Sequence, residues 1–245
     1  MRKRFKNVTL YERVYEALKE AILNNEYLPG DIVTIELIAR ELGVSATPVR
    51  EAVARLSAEG LVRQAPNKGV RIAPITSKDV HNTYEVRKLL EPYVAGVAAK
   101  KIAQDPEYKR GLLQVKKMAE KVASILANNS AVPSYETYLQ VDLKLERLML
   151  EAVENSLLQR LIAFVSSHSR RIRSFAEASS NSSAIEMMRT INEEHLHIIE
   201  AILNADTGEA WKAVKRHLDN AERRTINQLE GRSYSTLERF LEEEV

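Results

Sequence analysis

The sequence predicts a mainly α-helical protein, in which an N-terminal winged helix-turn-helix precedes an all-α bundle of six to seven helices. A glycine turn near residue 43 separates two short amphipathic segments, and two brief alternating segments follow them. Long amphipathic segments with capping residues at their starts then continue to about residue 230. We therefore place a winged helix-turn-helix with a basic arm at 1–75, a helical domain at 76–232 and a tail at 233–245.

The N-terminal segments have the order of a helix-turn-helix. A first helix is predicted from Leu10 to Asn24, and a second carries apolar residues at helical spacing (Ile35, Ile38, Ala39 and Leu42). Gly43 supplies the tight turn, and Ser45 is placed to cap the next helix, with Pro48 in its first turn. Val49, Val53 and Leu56 then face the core. The exposed start of this helix is the part that such motifs place in the major groove.

The predicted contacts with DNA follow from this geometry. Thr47 and Arg50 are expected to meet base edges, and Arg40 and Ser45 to position the phosphate backbone. Two short strands, 61–64 and 70–73, form a wing whose tip is expected to place Lys68 and Gly69 in the adjacent minor groove. Double-stranded operator DNA is therefore the first partner that the sequence indicates.

Composition sets limits on the class of protein but does not identify it. The formal net charge is +2, and residues 1–75 hold 12 basic against 9 acidic side chains, an excess too small to indicate DNA binding alone. The absence of cysteine excludes disulfides and thiolate metal sites. The sequence contains neither an apolar run long enough to span a membrane nor a signal peptide, so we expect a cytoplasmic protein without a membrane partner.

Six helices are predicted after the linker at 74–77. The first starts at Thr76 or Ser77 and reaches about residue 103, and the others cover about 106–127, 134–153, 156–178, 184–204 and 208–230. Capping residues precede several of them, as at Asp105 and Asp206. The tail at 233–245 is expected to be either a short acidic helix or a frayed end.

Four polar residues lie on helix faces that a bundle should keep apolar. Asp142 and Glu146 are one turn apart on the inward face of one helix, and His195 and His217 fall on the inward faces of two others. Carboxylates and neutral imidazoles from facing helices suit a divalent ion such as Zn²⁺, Ni²⁺ or Mn²⁺. Two alternatives stay open: each histidine fills the core with satisfied hydrogen bonds, or a Glu146–histidine pair takes the place of the ion.

The N-terminal motif resembles the winged helix-turn-helix of GntR-type bacterial transcription regulators. The run Ser45–Ala52 (SATPVREA), the pair at 55–56, the run Glu59–Val62 (EGLV) and the glycine-centred wing at 67–70 follow the family pattern. Many members carry arginine where this chain has Ala46, which implies a different operator. The helical remainder is similar to the FCD domain of the FadR branch, and the metal-binding members of the FCD group use an Asp and three His as ligands. Asp142, His195 and His217 match three of those positions, and Glu146 stands at the fourth, where two carboxylates would favour Mn²⁺.

The resemblance also implies what the helical domain senses. It implies a homodimeric regulator, most often a repressor, whose operator affinity responds to a small organic acid. Arg87 is expected to hold one end of that effector, with a surface ion pair to Glu91 as the alternative. His168 follows Leu161 and Phe164 onto what is expected to be an inward face, where it either lines the pocket or fills the core.

Two other classes of function stay open at the level of sequence. A metal-dependent enzyme of the helical-bundle type would use the same carboxylates and histidines, but the paired Glu-x-x-His motifs of di-iron bundles are missing. It would also leave the DNA-binding motif unexplained. An architectural DNA-binding protein without an effector would use the helical region for dimerisation alone.

Overall fold

The computed structural model describes residues 9–65, 69–127, 135–177 and 184–242. The chain divides into two compact units between Thr76 and Ser77, and Arg170–Phe175 is grouped with the first unit. The predicted fold class is confirmed: a helix-turn-helix with a small sheet comes first, and long helices make up the rest. None of the helices in the described ranges combines the length and apolar character that crossing a lipid bilayer requires.

Within its described residues before Ser77, the first unit contains three helices and a three-stranded sheet. Its elements are α1 (Leu10–Leu23), β1 (Ile32–Val33), α2 (Ile35–Glu41), α3 (Ala46–Ala58), β2 (Val62–Ala65) and β3 (Gly69–Ile72). The sheet is antiparallel with the order β1-β3-β2, and Arg71 of β3 is paired with Ile32 on one side and Arg63 on the other. Strand β1 was not predicted, because two residues are too few to show an alternating pattern.

The helix-turn-helix folds around one apolar core. The predicted inward residues of α3 are buried, with Val49 and Leu56 completely inaccessible to solvent. They pack in the same core as Ile22 of α1 and Ile38 of α2. Each such side chain stabilises the fold by about 1.5–3 kcal/mol. This packing holds α3 in place and leaves its first turn at the surface.

Local signals set where the N-terminal helices start and stop. Thr9 and Glu12 form a capping box: the Thr9 hydroxyl accepts the Glu12 amide at 3.2 Å, and the Glu12 carboxylate accepts the Thr9 amide at 2.8 Å. Between α2 and α3, Gly43 has a φ of +64°, which allows the predicted tight turn.

The second unit is built from six helices within the described residues. They are α4 (Ser77–Lys101), α5 (Pro106–Ala127), α6 (Tyr135–Glu151), α7 (Ser156–Glu177), α8 (Ala184–Leu203) and α9 (Thr207–Glu242). Helix α4 packs along α9, α5 lies against α6 and α8, and α8 also packs on α9. Facing helices of this bundle can therefore bring side chains from distant parts of the sequence into one site.

The helix starts follow the predicted capping signals. The Asp105 carboxylate accepts the backbone N–H groups of Glu107 and Tyr108, and the Asp206 carboxylate accepts that of Glu209. The C-terminal end differs from the expected separate tail, since α9 continues as one helix through 233 to Glu242. Gly231 does not end it, because a single glycine weakens a helix by only about 1 kcal/mol and no proline follows.

Candidate functional site

The start of α3 presents the side chains expected to meet DNA. Ser45 is the N-cap residue, with extended backbone angles, but its side chain makes no capping hydrogen bond, contrary to the prediction. Ser45, Thr47 and Arg50 are all exposed, and so is Arg40 in the last turn of α2. The Arg50 guanidinium lies 3.8 Å from Glu36, and both side chains are more than 60% exposed, so this pair is weak. These polar side chains at the start of α3 are therefore exposed and available for contacts outside the fold.

Arg55, which the sequence did not place among the base-reading residues, has a packing role. Its guanidinium stacks 3.7 Å from the centre of the Tyr15 ring and lies 3.4 Å from the Glu59 carboxylate. The Tyr15 hydroxyl donates to Glu59 at 2.6 Å, and Lys19 donates to the same carboxylate at 2.8 Å. This cluster ties α1 to the C-terminal end of α3.

Of the two wing residues predicted to enter the minor groove, the structure describes only Gly69. Lys68 lies outside the described residues. Gly69 opens β3 with a φ of +101°, and a Cβ added there would lie 2.5 Å from the backbone oxygen of Val33. Gly69 therefore lets β3 approach β1 closely, a structural role that the sequence alone did not reveal.

The helical unit brings three of the four predicted metal ligands together. Asp142 of α6, His195 of α8 and His217 of α9 each offer one ligand atom, and these atoms lie within 4.8 Å of one another. His195 is 2% exposed and His217 is 8% exposed, so both point inward as predicted. Three donors from three helices, two nitrogen and one oxygen, form a set that a divalent ion can bridge.

His195 provides the observation that fits an ion best. Its Nε2 atom lies 3.4 Å from Asp142 Oδ1, yet neither ring nitrogen makes a hydrogen bond of normal geometry among the described residues. Buried polar groups almost always have a hydrogen-bond partner, so an unsatisfied buried imidazole calls for an explanation. An ion held with Asp142 and His217 would satisfy one of the two ring nitrogens, the one that carries the lone pair.

His217 is connected differently. Its Nδ1 lies 2.7 Å from the Glu194 carboxylate, which leaves Nε2 as the other ring nitrogen. Burial lowers the pKa of His217, although the contact with Glu194 opposes this shift, and the lower pKa favours the neutral form that binds metals. Burial alone would raise the pKa of Glu194, but hydrogen bonds from His217 and Arg224 outweigh it and lower the pKa to about 2.

Glu146, the fourth predicted ligand, lines one pocket together with Asp142, His195 and His217, but it does not belong to the group of close donor atoms. Burial and the neighbouring Asp142 carboxylate both raise the pKa of Glu146. A protonated glutamic acid is a poor ligand, whereas a nearby cation would favour its ionised form. Nor does the structure show a Glu146–His pair in place of the ion, since His195 is close to Asp142 and His217 to Glu194.

Arg87 lies on the inward face as predicted, but its ion pair with Glu91 is buried and not at the helix surface. Arg87 is 5% exposed, its Nε and Nη2 donate to the two Glu91 oxygens at 2.7 and 3.1 Å, and its Nη1 donates to Ser169 at 2.8 Å. Both Arg87 and Glu91 line the pocket that contains the three donors. Arg87 is therefore paired with Glu91 and also forms part of the pocket wall, whereas its contact with an effector stays a prediction.

The predicted inward face of α7 is wrong. Leu161 and Phe164 are 47% and 45% exposed, and His168 is half-buried, with its Nδ1 3.0 Å from the Phe164 backbone oxygen. His168 is not among the residues that line the pocket. Ser166 and Ser169 of α7, and not His168, are buried. Sequence periodicity missed them because two apolar residues on the opposite face gave the stronger pattern.

The pocket around these residues is narrow. Its cavity volume is about 20 Å³. That is enough for an ion or about one water molecule. Apolar side chains complete its walls, namely Leu145, Met149, Ile198 and Val214.

Comparisons with known proteins agree with this architecture. Residues 10–72 match the family described as bacterial regulatory proteins, gntR family, and residues 82–220 match the FCD domain. The chain is 28% identical to the transcriptional regulator LutR of Bacillus subtilis, over 82% of this chain and 94% of LutR. It is 24% identical to the galactonate operon transcriptional repressor of Escherichia coli, over 87% of this chain and 95% of the repressor. A 44% identical regulator from Agrobacterium vitis matches over 36% of this chain, which is half of that protein's length.

Solved structures show the same fold. McbR/YncC of Escherichia coli, 18% identical, superposes with a TM-score of 0.70 over 91% of this chain and 99% of its own. The Zn²⁺-bound FCD domain of another transcriptional regulator, 25% identical, has a TM-score of 0.50 over 64% of this chain and 98% of its own. These relatives are regulators, so the enzyme interpretation has no support among them. The chain belongs to the GntR family and is a DNA-binding transcription regulator with an FCD domain.

Proposed function

We propose that this regulator is a homodimeric repressor whose helical domain holds one divalent ion and, through it, a small organic acid that controls operator affinity. A single winged helix reads a short half-site, and two of them related by a dimer axis give the affinity that an operator needs. Repression is supported by the galactonate operon repressor, which is similar to this chain along nearly its full length. The operon that this repressor controls is named for galactonate, an organic acid, and we propose the same class of ligand for this chain.

The metal centre rests on one observation above the others. The buried His195 ring has no hydrogen-bond partner among the described residues, and it lies beside two further donors, from Asp142 and His217. Zn²⁺ and Ni²⁺ suit two imidazoles with one carboxylate, and Mn²⁺ would be favoured if Glu146 joined them. A bound ion would supply a positive charge to which an effector carboxylate can coordinate. The Zn²⁺-bound FCD domain supports this assignment as a relative that binds metal.

The narrow pocket suggests how an effector would act. Room for about one water is too small for an organic acid, so binding has to displace side chains or helices around the site. Arg87 is already bonded to Glu91, and an effector carboxylate would have to exchange with Glu91 to reach it. We propose that this exchange shifts the helices around the pocket and changes operator affinity, which is a coupling free energy between two sites.

The metal assignment is tested by elemental analysis and native mass spectrometry of freshly purified protein. We expect one divalent ion per chain after equilibration with Zn²⁺, Ni²⁺ or Mn²⁺, and a dimer mass in the same spectrum. His195→Ala is expected to lose the ion. His197→Ala is the matched control, because His197 is a half-exposed residue of the same helix that pairs with Glu209. Less than one ion per chain in the wild type under all three metals would reject the metal centre.

The effector assignment needs a separate experiment. Thermal unfolding of the metal-loaded protein is measured against a broad panel of small mono- and dicarboxylates, including sugar acids. We expect at least one to raise the midpoint, and expect this rise to vanish in His195→Ala. A panel with no effect would favour the architectural alternative, in which the helical domain serves dimerisation alone.

A further inference from the structure

Three residues of α9 face Glu194 of α8. His217, Asn220 and Arg224 are spaced three and four residues apart, so they share one face of α9. Glu194 takes part in a hydrogen bond with each of them, and its side chain is only 12% exposed. This carboxylate is therefore the centre of a small, partly buried polar network beside the three metal donors.

The network fixes the hydrogen-bonding role of Glu194. Arg224 donates from Nη1 to one carboxylate oxygen at 3.0 Å and from Nη2 to the other at 2.9 Å, and Asn220 donates to the first at 2.8 Å. A carboxylate held by a two-pronged guanidinium contact is ionised and can only accept hydrogen bonds. The His217 Nδ1, 2.7 Å from the second oxygen, must therefore carry the proton.

The consequence concerns the other side of the His217 ring. When Nδ1 of a neutral imidazole carries the proton, the lone pair is on Nε2, which is then the only nitrogen that can bind an ion. We propose that Glu194 is a positioning residue of the metal centre: it fixes the tautomer and the orientation of His217, and Arg224 in turn holds Glu194. This inference rests on the proposed metal site. It adds two residues that do not touch the ion but set its affinity.

The arrangement also gives α8 two roles. It supplies His195 as a ligand and, through the adjacent Glu194, orients the ligand supplied by α9. The two imidazole rings lie with their centres 5.0 Å apart. A change at Glu194 is therefore expected to weaken ion binding even though His195, Asp142 and His217 are all retained.

The first test measures the affinity of the full-length protein for Zn²⁺ by competition with a chromophoric chelator. We expect Glu194→Gln to weaken Zn²⁺ binding by about 10- to 100-fold, as loss of such supporting contacts generally does. Arg224→Met is expected to weaken it as well, because Glu194 then loses its two-pronged donor. Glu193→Gln on α8 and Arg216→Met on α9 are the matched controls, because Glu193 is exposed and Arg216 pairs with Glu209 outside the Glu194 network. We expect both variants to bind Zn²⁺ within about twofold of the wild type.

A second measurement does not depend on bound metal or on a variant that folds. Nitrogen-15 NMR of the histidine rings in the metal-free wild type is expected to show His217 as the Nδ1–H tautomer. The Nε2–H tautomer would overturn the proposal, and so would Glu194→Gln with wild-type Zn²⁺ affinity. If the wild type binds none of Zn²⁺, Ni²⁺ and Mn²⁺, the metal centre is rejected and this inference with it; if it binds only Ni²⁺ or Mn²⁺, the variants are compared with that ion. If the wild type binds and Glu194→Gln binds equally well, this inference alone is rejected.

Discussion

The substitution Gly69→Ala tests whether Gly69 is needed for the close approach of β3 to β1 or for a contact with DNA. Gly69 has a φ of +101°, a conformation that costs a residue with a Cβ about 1–3 kcal/mol. The new Cβ would also lie 2.5 Å from the Val33 oxygen and 3.0 Å from the Thr34 Cα, so β1 or β3 has to move. Forcing extra atoms into such a contact typically costs another 1–3 kcal/mol or so. We expect a total loss of about 2–6 kcal/mol in the local stability of the wing.

Gly30→Ala is the matched control for the backbone strain. Gly30 has a similar φ of +95°, but a Cβ there would meet no neighbouring atom within 4 Å. Amide hydrogen exchange in peptides that cover β2 and β3 reports the local opening free energy of the full-length protein. Trp211 fluorescence is not suitable, because the single tryptophan lies in the helical unit.

The two variants separate the structural role from a DNA contact. We expect Gly69→Ala to open the wing more than Gly30→Ala, with any loss of DNA affinity following the loss of wing stability. Equal exchange in the two variants would refute the close-approach argument. Wild-type exchange in Gly69→Ala together with weakened DNA binding would show that Gly69 acts at the DNA.

Two further predictions concern the first unit. Arg50→Ala is expected to weaken operator binding by about 1–3 kcal/mol if Arg50 reads a guanine, measured by fluorescence anisotropy, with the exposed Arg13→Ala of α1 as control; equal affinities would contradict this role. Burial raises the pKa of Glu59, but hydrogen bonds from Lys19 and Tyr15 outweigh it and lower the pKa below 4.5. The stability that ionised Glu59 contributes is therefore complete well above pH 4.5 and is lost as the pH falls below that value. Local amide exchange should show a smaller acid-induced loss in Glu59→Gln, and identical acid profiles would count against the cluster.

The sequence predicted the helices of both units well for physical reasons that are visible in the structure. Capping residues such as Asp105 and Asp206 and the turn at Gly43 are local signals, and the structure uses them as expected. Buried faces with a strong period, such as that of α3, were also predicted correctly. Strand β1 was missed because its partners lie about 40 residues away in β3, and a pairing of that kind leaves little trace in two residues.

The candidate site was less predictable. The position of a polar residue in a core depends on its hydrogen-bond partners, which can be on other helices, and not on a regular spacing in the sequence. The inward positions of His195 and His217 came from helical spacing, but Glu194 as the partner of His217 did not, since the two are on different helices. His168 was assigned to the wrong face because Leu161 and Phe164, which guided that assignment, are exposed. Gly69 was recognised as part of the wing, whereas its close approach to Val33 depends on a contact between strands.

The central claim is that the N-terminal unit reads a specific DNA sequence and that the helical unit controls this reading through a bound ion and an acid. Selection from random duplex oligonucleotides by the full-length protein tests it most directly, with and without Zn²⁺ and the carboxylates that raise its melting temperature. We expect an enriched inverted repeat with half-sites about one helical turn apart, and an affinity for it that changes when the acid is added to the Zn²⁺-loaded protein. Recovery of no enriched sequence under any of these conditions would contradict the claim.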